Sequence, residues 1–513
     1  VENLLTDDEN PGCVGKKFWS YLKHKRADSC GIGTLREGDR LITDSTEKAE
    51  VLNRQFNSVF TPPTIDATQS QPISDMPDFT ISTEGVHRQL RSLNPYKATG
   101  PDDISPRVLK ELADVLSHPL TQLFQKSLDT STVPDDWKKA RVTPLYKKGD
   151  KYMPSNYRPI SLTCVTCKIL EHIVTSQLTR HLETKGKLNK RQHGFRKLRS
   201  CESQLTELTC DISKKLDEGK EIDAIFLDFS KAFDKVDHSK LISKLKSIGV
   251  SNQVSNWVQN LLADRSQVVV VDGYASSPCP VTSGVPQGSV IGPILFLVYI
   301  NDLPDTVASK TRLFADDTVI YNTSENHQSL QKDLDALQAW EKEWKMEFNP
   351  LKCEHIKFSR KRSKGLDNTY ILHNIAVPKT DSVKYLGVKL ESGLKWNDNT
   401  TYITNKASSR LGYVRRVIPP TLPLLRAKAY SSLVRPILEY SSSVWDGSLT
   451  KTQQTKIEAV QRRAARTVNN ISRTDHTTST TKLIEDLEWQ SLKTRRENRR
   501  LGLFRAIHFG EVA

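Results

Sequence analysis

No stretch of this sequence stays apolar for the ~18 to 20 residues that a membrane-spanning helix needs. The longest such stretch, 290–300, is broken by Gly292 and Pro293. A membrane partner is therefore not expected. A secretory leader is not expected either, because the chain opens on Val1-Glu2-Asn3-Leu4-Leu5. That opening has no initiator methionine and reads as a cut from a longer reading frame. The eight cysteines, at 13, 30, 164, 167, 201, 210, 279 and 353, do not make the dense framework of a small secreted domain. Reduced thiols of cytosol or nucleus fit this usage. The close pair Cys164 and Cys167 has no second pair and no following His-x3-His, so both are read as small buried apolar residues and not as zinc ligands. Gly-x-Ser-x-Gly and Gly-x4-Gly-Lys-Ser/Thr are absent, which removes the Ser/His/Asp hydrolases and the P-loop enzymes. There is no internal repeat and no low-complexity tract.

What is present is an ordinary globular balance, 37% hydrophobic and 26% charged over 513 residues, enough for two or three packed units. Lysine and arginine number 75 against 60 acidic residues, a net charge of +15. Charge alone leaves two readings, a nucleic-acid partner or a solvated basic surface. The spacing predicts helices over 16–25 and 46–60, then a linker over 61–77. It predicts a mostly helical stretch over 82–215 and strands alternating with helices over 222–325. Leu330, Leu334, Leu337, Trp340, Trp344 and Phe348 then recur at helical spacing as a core stripe. From about 400 the chain reads as helical and basic, with Arg462, Arg463 and Arg466, then Arg495, Arg496, Arg499 and Arg500, crowding its last helices.

Three elements carry chemistry. Ala224-Ile225-Phe226-Leu227-Asp228-Phe229 predicts a buried strand that delivers Asp228 at its exposed end, unless Asp228 is a helix cap or a turn residue. Ser283-Gly284-Val285-Pro286-Gln287-Gly288-Ser289 leads into an apolar helix over 290–300. Its glycines allow close backbone approach to a phosphate or base at a helix start, or simply make a turn and a cap. Arg312-Leu313-Phe314-Ala315-Asp316-Asp317-Thr318-Val319-Ile320-Tyr321 suits a hairpin with an acidic pair at its tip. Adjacent carboxylates repel, and a divalent cation with a taste for hard oxygen ligands makes the pairing tolerable.

In this order and spacing the three elements resemble the palm motifs of reverse transcriptases. The likeness extends through Lys97-Ala98-Thr99-Gly100-Pro101-Asp102, Pro144-Leu145-Tyr146-Lys147-Lys148-Gly149-Asp150, Asn156-Tyr157-Arg158-Pro159-Ile160-Ser161-Leu162 and Gln192-His193-Gly194-Phe195-Arg196. These are similar to the fingers of LINE-type, jockey-like (non-LTR) retrotransposon enzymes. Downstream, Asn349-Pro350-Leu351-Lys352-Cys353 and Tyr385-Leu386-Gly387-Val388 resemble later palm motifs. Leu433-Val434-Arg435-Pro436 and Ile457-Glu458-Ala459-Val460-Gln461-Arg462-Arg463-Ala464 resemble the thumb region. Group II intron maturases and telomerase share the palm chemistry but not these fingers and thumb patterns.

The resemblance implies an α+β right-hand polymerase with an antiparallel-sheet palm, helical fingers and a helical basic thumb. It divides the chain into a connector and linker over 1–80, fingers over 81–215, a palm over 216–390 within a core domain of about 125–390, and a thumb over 391–513. It implies an RNA-directed DNA polymerase that copies element RNA onto a DNA primer or target, with deoxynucleoside triphosphates as substrates. Two magnesium ions, for which manganese can substitute, would be held by Asp228 and Asp316, with Asp317 beside them and the Phe229 carbonyl as an extra ligand. Lys147 or Lys148, with Arg158, would grip the triphosphate, each lysine being otherwise a solvated loop charge. Phe233 would exclude a ribose 2′-hydroxyl, or else is core. Gln287 and Gly288 would line the nucleotide and template side. Arg462, Arg463 and Arg466 would follow duplex phosphates without reading sequence. An endonuclease is expected upstream in the longer protein, no ribonuclease H region is evident, and the setting is nucleus and cytoplasm. The competing reading is a non-enzymatic RNA-binding remnant of such an element.

Overall fold

A computed structural model describes residues 31–62, 74–361, 368–472, 474–475 and 477–512. The helix expected over 16–25 lies outside the described residues, as does much of the linker expected over 61–77. Among the described residues no helix is long and apolar enough to cross a membrane.

The centre is a four-stranded antiparallel sheet in the order Glu354–Phe358, Ile222–Leu227, Asp317–Thr323, Lys310–Phe314. Every residue of Ile222–Leu227 is buried. Successive side chains of a strand point to opposite faces, and here both faces are covered. Ala224 and Phe226 pack with Val319, Tyr321, Leu205 and Leu208, on the side of helix Cys201–Asp217. Ile225 and Leu227 pack with Ile320 and with helices Val165–Thr184, Gly292–Tyr299 and His327–Trp344. A strand buried twice over reads as an apolar run, here from Ala224 onward, which is why it was visible in the sequence. The stripe from Leu330 to Trp340 is core, as its spacing requires. Cys164 and Cys167 are buried, and burial pushes the Cys164 thiol up to about 12.

A second sheet departs from expectation. The segment 82–215, read as mostly helical, contains strands Lys139–Tyr146 and Tyr157–Leu162. They pair antiparallel, and Lys139–Tyr146 also pairs in parallel with Arg265–Val271, which is flanked by Tyr274–Ala275 and Cys279–Val281. The boundary expected at 215/216 therefore cuts across a sheet. The N-terminal region expected as a helical connector adds a hairpin, Leu35–Glu37 with Arg40–Ile42. Helix Ser45–Asn57 follows and seats Val51, Leu52 and Phe56 against Val142, Tyr157, Val269 and Val271.

The C-terminal third is helical, from Asn397–Val417 through Lys451–Val468 to Leu492–His508. Leu411, Tyr430, Trp445, Ile457 and Leu492 join the core under helix Cys201–Asp217. The mixture of segregated sheets and helices makes the chain α+β.

Candidate active site

Asp228 is the first residue beyond the buried strand Ile222–Leu227, and its side chain is exposed. The next residue, Phe229, is buried against Phe348 in a stacked pair at 4.1 Å and anchors the strand end. The Asn349 N–H donates to the Asp228 carbonyl at 2.8 Å, and Lys352 Nζ lies 3.9 Å from the Asp228 carboxylate. Leu227 pairs with Thr318 in antiparallel register. One step further along, Asp228 therefore comes level with Asp317.

The hairpin Lys310–Phe314 to Asp317–Thr323 turns on Ala315 and Asp316, so Asp316 sits in the turn while Asp317 opens the returning strand. Ala315 has a left-handed backbone, φ 54°, which costs a residue with a Cβ about 1–3 kcal/mol and needs support from its surroundings. The support comes from the Gln192-His193-Gly194 segment. The buried carboxamide of Gln192 accepts from Ala315 N–H at 2.9 Å and donates to the Ala315 carbonyl at 3.3 Å. Gly194 lies so close that a Cβ there would stand 2.2 Å from the Ala315 nitrogen.

The charges interact as one group. Burial, then the Asp228 carboxylate, raises the Asp316 carboxyl above its ordinary range. Asp317 keeps contact with solvent but lies in a recess, and desolvation there, followed by Asp316 and Asp228, pushes it up to about 6. Lys147 and Arg158 pull both carboxyls back down. Lys147 is itself lowered, by burial first and then by Arg158, against the pull of Asp228. Of the two candidate lysines, Lys147 is thus the one whose charge reaches the aspartates, while Lys148 acts on Lys147.

Among the described residues no three Asp, Glu, His or Cys side chains are gathered closely enough to enclose a metal ion by themselves. Magnesium is ordinarily held by one or two carboxylates plus substrate phosphates rather than by a full protein cage. Asp228, Asp316 and Asp317 fit that incomplete shell, since a cation would offset the desolvation, and then the mutual repulsion, that raise two of them.

The glycines of the 283–289 turn lie against the protein's own backbone. Gly284, φ 86°, has no room for a Cβ because the Asp234 backbone stands 2.8 Å away, and Gly288, φ 117°, is pressed against the Ser161 carbonyl. Gln287 donates through Nε2 to Asp234 Oδ1 at 2.8 Å, and its carbonyl accepts from Ser161 N–H at 2.8 Å. Burial pushes the Asp234 carboxyl up, so the Gln287 donor partly offsets its desolvation. The close approaches are to the protein's own backbone and tie this turn to strand Tyr157–Leu162, which carries Arg158. The apolar helix expected over 290–300 begins at Gly292. Phe233 is half-buried, stacked on Phe296 at 4.3 Å and meeting the exposed ring of Phe195 edge-on at 6.4 Å.

Of the basic tail, Arg463 is exposed and Arg462 and Arg466 are half-buried. The four arginines of the last helix, whose crowding suggested a polyanion partner, each pair with a carboxylate, although Arg499 is exposed and Arg500 half-buried. Arg495 pairs with Glu439, Arg499 with Glu202 at 3.1 Å, and Arg496 and Arg500 with Asp446 at 2.7 and 3.1 Å. Gln192, Gly194 and Asp234 went unmarked as site residues, although each stands inside a recognised motif. The signal was a polar residue and a glycine within short apolar surroundings, which implies a tight backbone contact.

Residues 145–390 match the family model described as "Reverse transcriptase (RNA-dependent DNA polymerase)". The chain is 29% identical over 484 residues to the "Probable RNA-directed DNA polymerase from transposon BS" of Drosophila melanogaster, covering 89% of this chain and 53% of that protein. It is 28% identical over 458 residues to the "RNA-directed DNA polymerase from mobile element jockey" of the same fly, covering 83% and 49%. It is 24% identical over 514 residues to the "Retrovirus-related Pol polyprotein from type-1 retrotransposable element R1" of Bradysia coprophila, covering 96% and 50%. The chain spans about half the length of these curated relatives.

Proposed function

We propose that this chain, which carries a reverse transcriptase domain over residues 145–390, is the polymerase portion of a non-LTR retrotransposon protein that copies element RNA into DNA, using its DNA target as primer. The observation that carries this reading is the electrostatic grouping of Asp228, Asp316 and Asp317 opposite Lys147 and Arg158. In this reading the four-stranded sheet and its helices are the palm. The sheet containing Lys139–Tyr146 and Tyr157–Leu162, with the helices before and after it, forms the fingers, and the helices from Asn397 onward form the thumb.

Asp228 and Asp316, with Asp317 beside them and the Phe229 carbonyl adjoining, would hold the two magnesium ions. When bound, these supply charge neutralisation at the attacking and leaving oxygens of nucleotidyl transfer. Lys147 and Arg158 meet the triphosphate from the fingers and orient it toward the aspartates. The Phe233 ring, braced by Phe296, would exclude a ribose 2′-hydroxyl in this reading. Gln287 holds the turn between Asp234 and Ser161, so Gly288 presents bare backbone along the nucleotide and template side. RNA template, DNA primer and deoxynucleoside triphosphates are the partners, in nucleus and cytoplasm, and nicking of the target falls to an endonuclease domain upstream in the longer protein.

The test is magnesium-dependent incorporation of deoxynucleotides on an RNA template with a DNA primer, comparing the chain with Asp316→Asn/Asp317→Asn. The expected result is extension by the unaltered chain and a loss of at least about a hundredfold in the double variant, the scale on which electrostatic transition-state stabilisation is lost. A chain that binds primed RNA and extends nothing across varied metal and salt overturns the reading in favour of a non-enzymatic remnant.

A further inference from the structure

Between helices Asn397–Val417 and Lys451–Val468 lies a cavity of about 570 Å³ whose wall includes Arg415, Arg426, Arg463 and Arg466. All of its lining residues come from 408–472, none from the sheets that carry the acidic cluster. The same helical layer neutralises Arg495, Arg496, Arg499 and Arg500 with carboxylates. Among the described residues the four cavity arginines have no such partner and meet only carbonyls and one hydroxyl.

Their duties divide. Arg426 is buried and structural, donating to the Ile418 carbonyl at 3.0 Å and the Thr467 carbonyl at 2.6 Å. Arg466 donates to the Ser472 and Asp475 carbonyls. Arg463 is exposed and spends one donor on Ser408 Oγ in the cavity wall, at 2.9 Å, and one on the Ala459 carbonyl, at 3.3 Å. Arg415 is exposed and its guanidinium makes no hydrogen bond within the described residues. Four guanidinium groups around one cavity, none facing a carboxylate among the described residues, make a positive site that an anion completes. The repulsion registers on Arg426, which burial, and then Arg415, lowers from its ordinary value.

The geometry points to a phosphate pocket that seats one nucleotide of a single-stranded RNA, a role for Arg463 and Arg466 other than the duplex contact the resemblance implies. A planar fork of donors on Arg415 and Arg463 matches a phosphodiester. The volume exceeds what a phosphate group alone fills and lies in the range of small-molecule sites. A recess takes a splayed strand, whereas a duplex presents its phosphates on a convex surface. No aromatic ring lines the cavity, so no base stacks there and the grip is indifferent to sequence. That the phosphate belongs to RNA, and not to another phosphate ester, rests on the polymerase reading above.

The experiment uses the full chain and its Arg415→Gln/Arg463→Gln variant. Binding of a labelled single-stranded RNA is followed across a range of potassium chloride, with saturating unlabelled primer–template filling the cleft. The expected result is at least about tenfold weaker binding and a salt dependence shallower by about 1.4, which is ~0.7 for each of two lost phosphate contacts. Identical affinity and slope overturn the pocket. Should the double variant fail to fold, Arg415→Gln alone, whose side chain holds nothing in place, is expected to reduce the slope by about 0.7. If inorganic phosphate or AMP binds the unaltered chain and the variant loses only that binding, the pocket serves a small phosphate ester and the RNA assignment falls. If the chain extends no primer while the slope difference persists, the polymerase reading fails and the pocket stands.

Discussion

The carboxamide of Gln192 brackets the peptide of Ala315, accepting from its N–H and donating to its carbonyl at 2.9 and 3.3 Å, while the same oxygen accepts from Gly194 N–H at 2.7 Å. A side chain far away in sequence thus fixes the strained residue next to Asp316. Gln192→Leu should cost about 1–3 kcal/mol, the penalty for orphaning buried backbone groups. It should lower kcat more than it raises KM, because the turn loses its position rather than its charge. Gln192→Glu keeps the acceptor and is expected to retain more activity than Gln192→Leu. Equal kcat in all three proteins would show that the bracket does not position Asp316.

Gly194→Ala places a Cβ 2.2 Å from the Ala315 nitrogen, a contact that only backbone movement can relieve. Overpacking of this kind costs about 1–3 kcal/mol. Thermal unfolding should report that loss, together with a fall in polymerisation steeper than that of Gly33→Ala, where a Cβ meets nothing.

The electrostatics separate Lys147 from its neighbour, since Lys147 acts on Asp316 and Asp317 and Lys148 acts on Lys147. Lys147→Gln should raise KM for deoxynucleotides about tenfold, equivalent to about 1.4 kcal/mol, and Lys148→Gln by less than about threefold. Steady-state kinetics at fixed magnesium decide it, and the opposite order would move the triphosphate contact to Lys148.

Phe233 is wedged between Phe296 and Phe195 and cannot swing aside. Replacing it with valine should relax discrimination against ribonucleotides by about tenfold or more, read as the ratio of kcat/KM for the two sugars. An unchanged ratio would make Phe233 a core residue only.

His193 is buried, and desolvation followed by Arg199, Arg312 and Arg196 holds it down at about 3. Glu207 lies 3.4 Å from its Nε2, but that one carboxylate does not outweigh three guanidinium groups. The folded pKa is below the unfolded value of ~6.5, so the unfolded chain binds the extra proton first. Stability from this residue is fully present above pH ~6.5 and is lost as pH falls toward 3, by a few kcal/mol at most. Denaturant unfolding should show a shallower fall across that window in His193→Gln than in the unaltered chain.

The strand ending at Asp228 and the acidic hairpin were legible because two-sided burial and a tight turn each leave a local pattern. The sheet of Lys139–Tyr146 and Tyr157–Leu162 was not. Its apolar residues are interrupted by Lys139, Arg141 and Arg158, and Pro144 and Pro159, which face each other across the pair, read as breakers. Its parallel partner Arg265–Val271 is distant in the chain, so no short-range signal announced the pairing. The arginines of the last helix misled for a related reason. Their partners Glu202, Glu439 and Asp446 come from other helices, and composition counts charge without showing what it meets. Gly284 and Gly288 were correctly read as places of close approach, but the approaching group is Asp234 in one case and Ser161 in the other.

Leu205, Leu208 and Ile212, on the helix behind the strand that ends at Asp228, share a single core with Leu411, Trp445 and Ile457. At the other end of the molecule, Phe56 closes over Val142 and Val269. The segment recognisable by family likeness, 145–390, is therefore shorter than the segment that can stand alone. Trimmed to that likeness, the polypeptide would bare two oily seams and clump, so any expression fragment should begin ahead of Leu35 and run past Leu492.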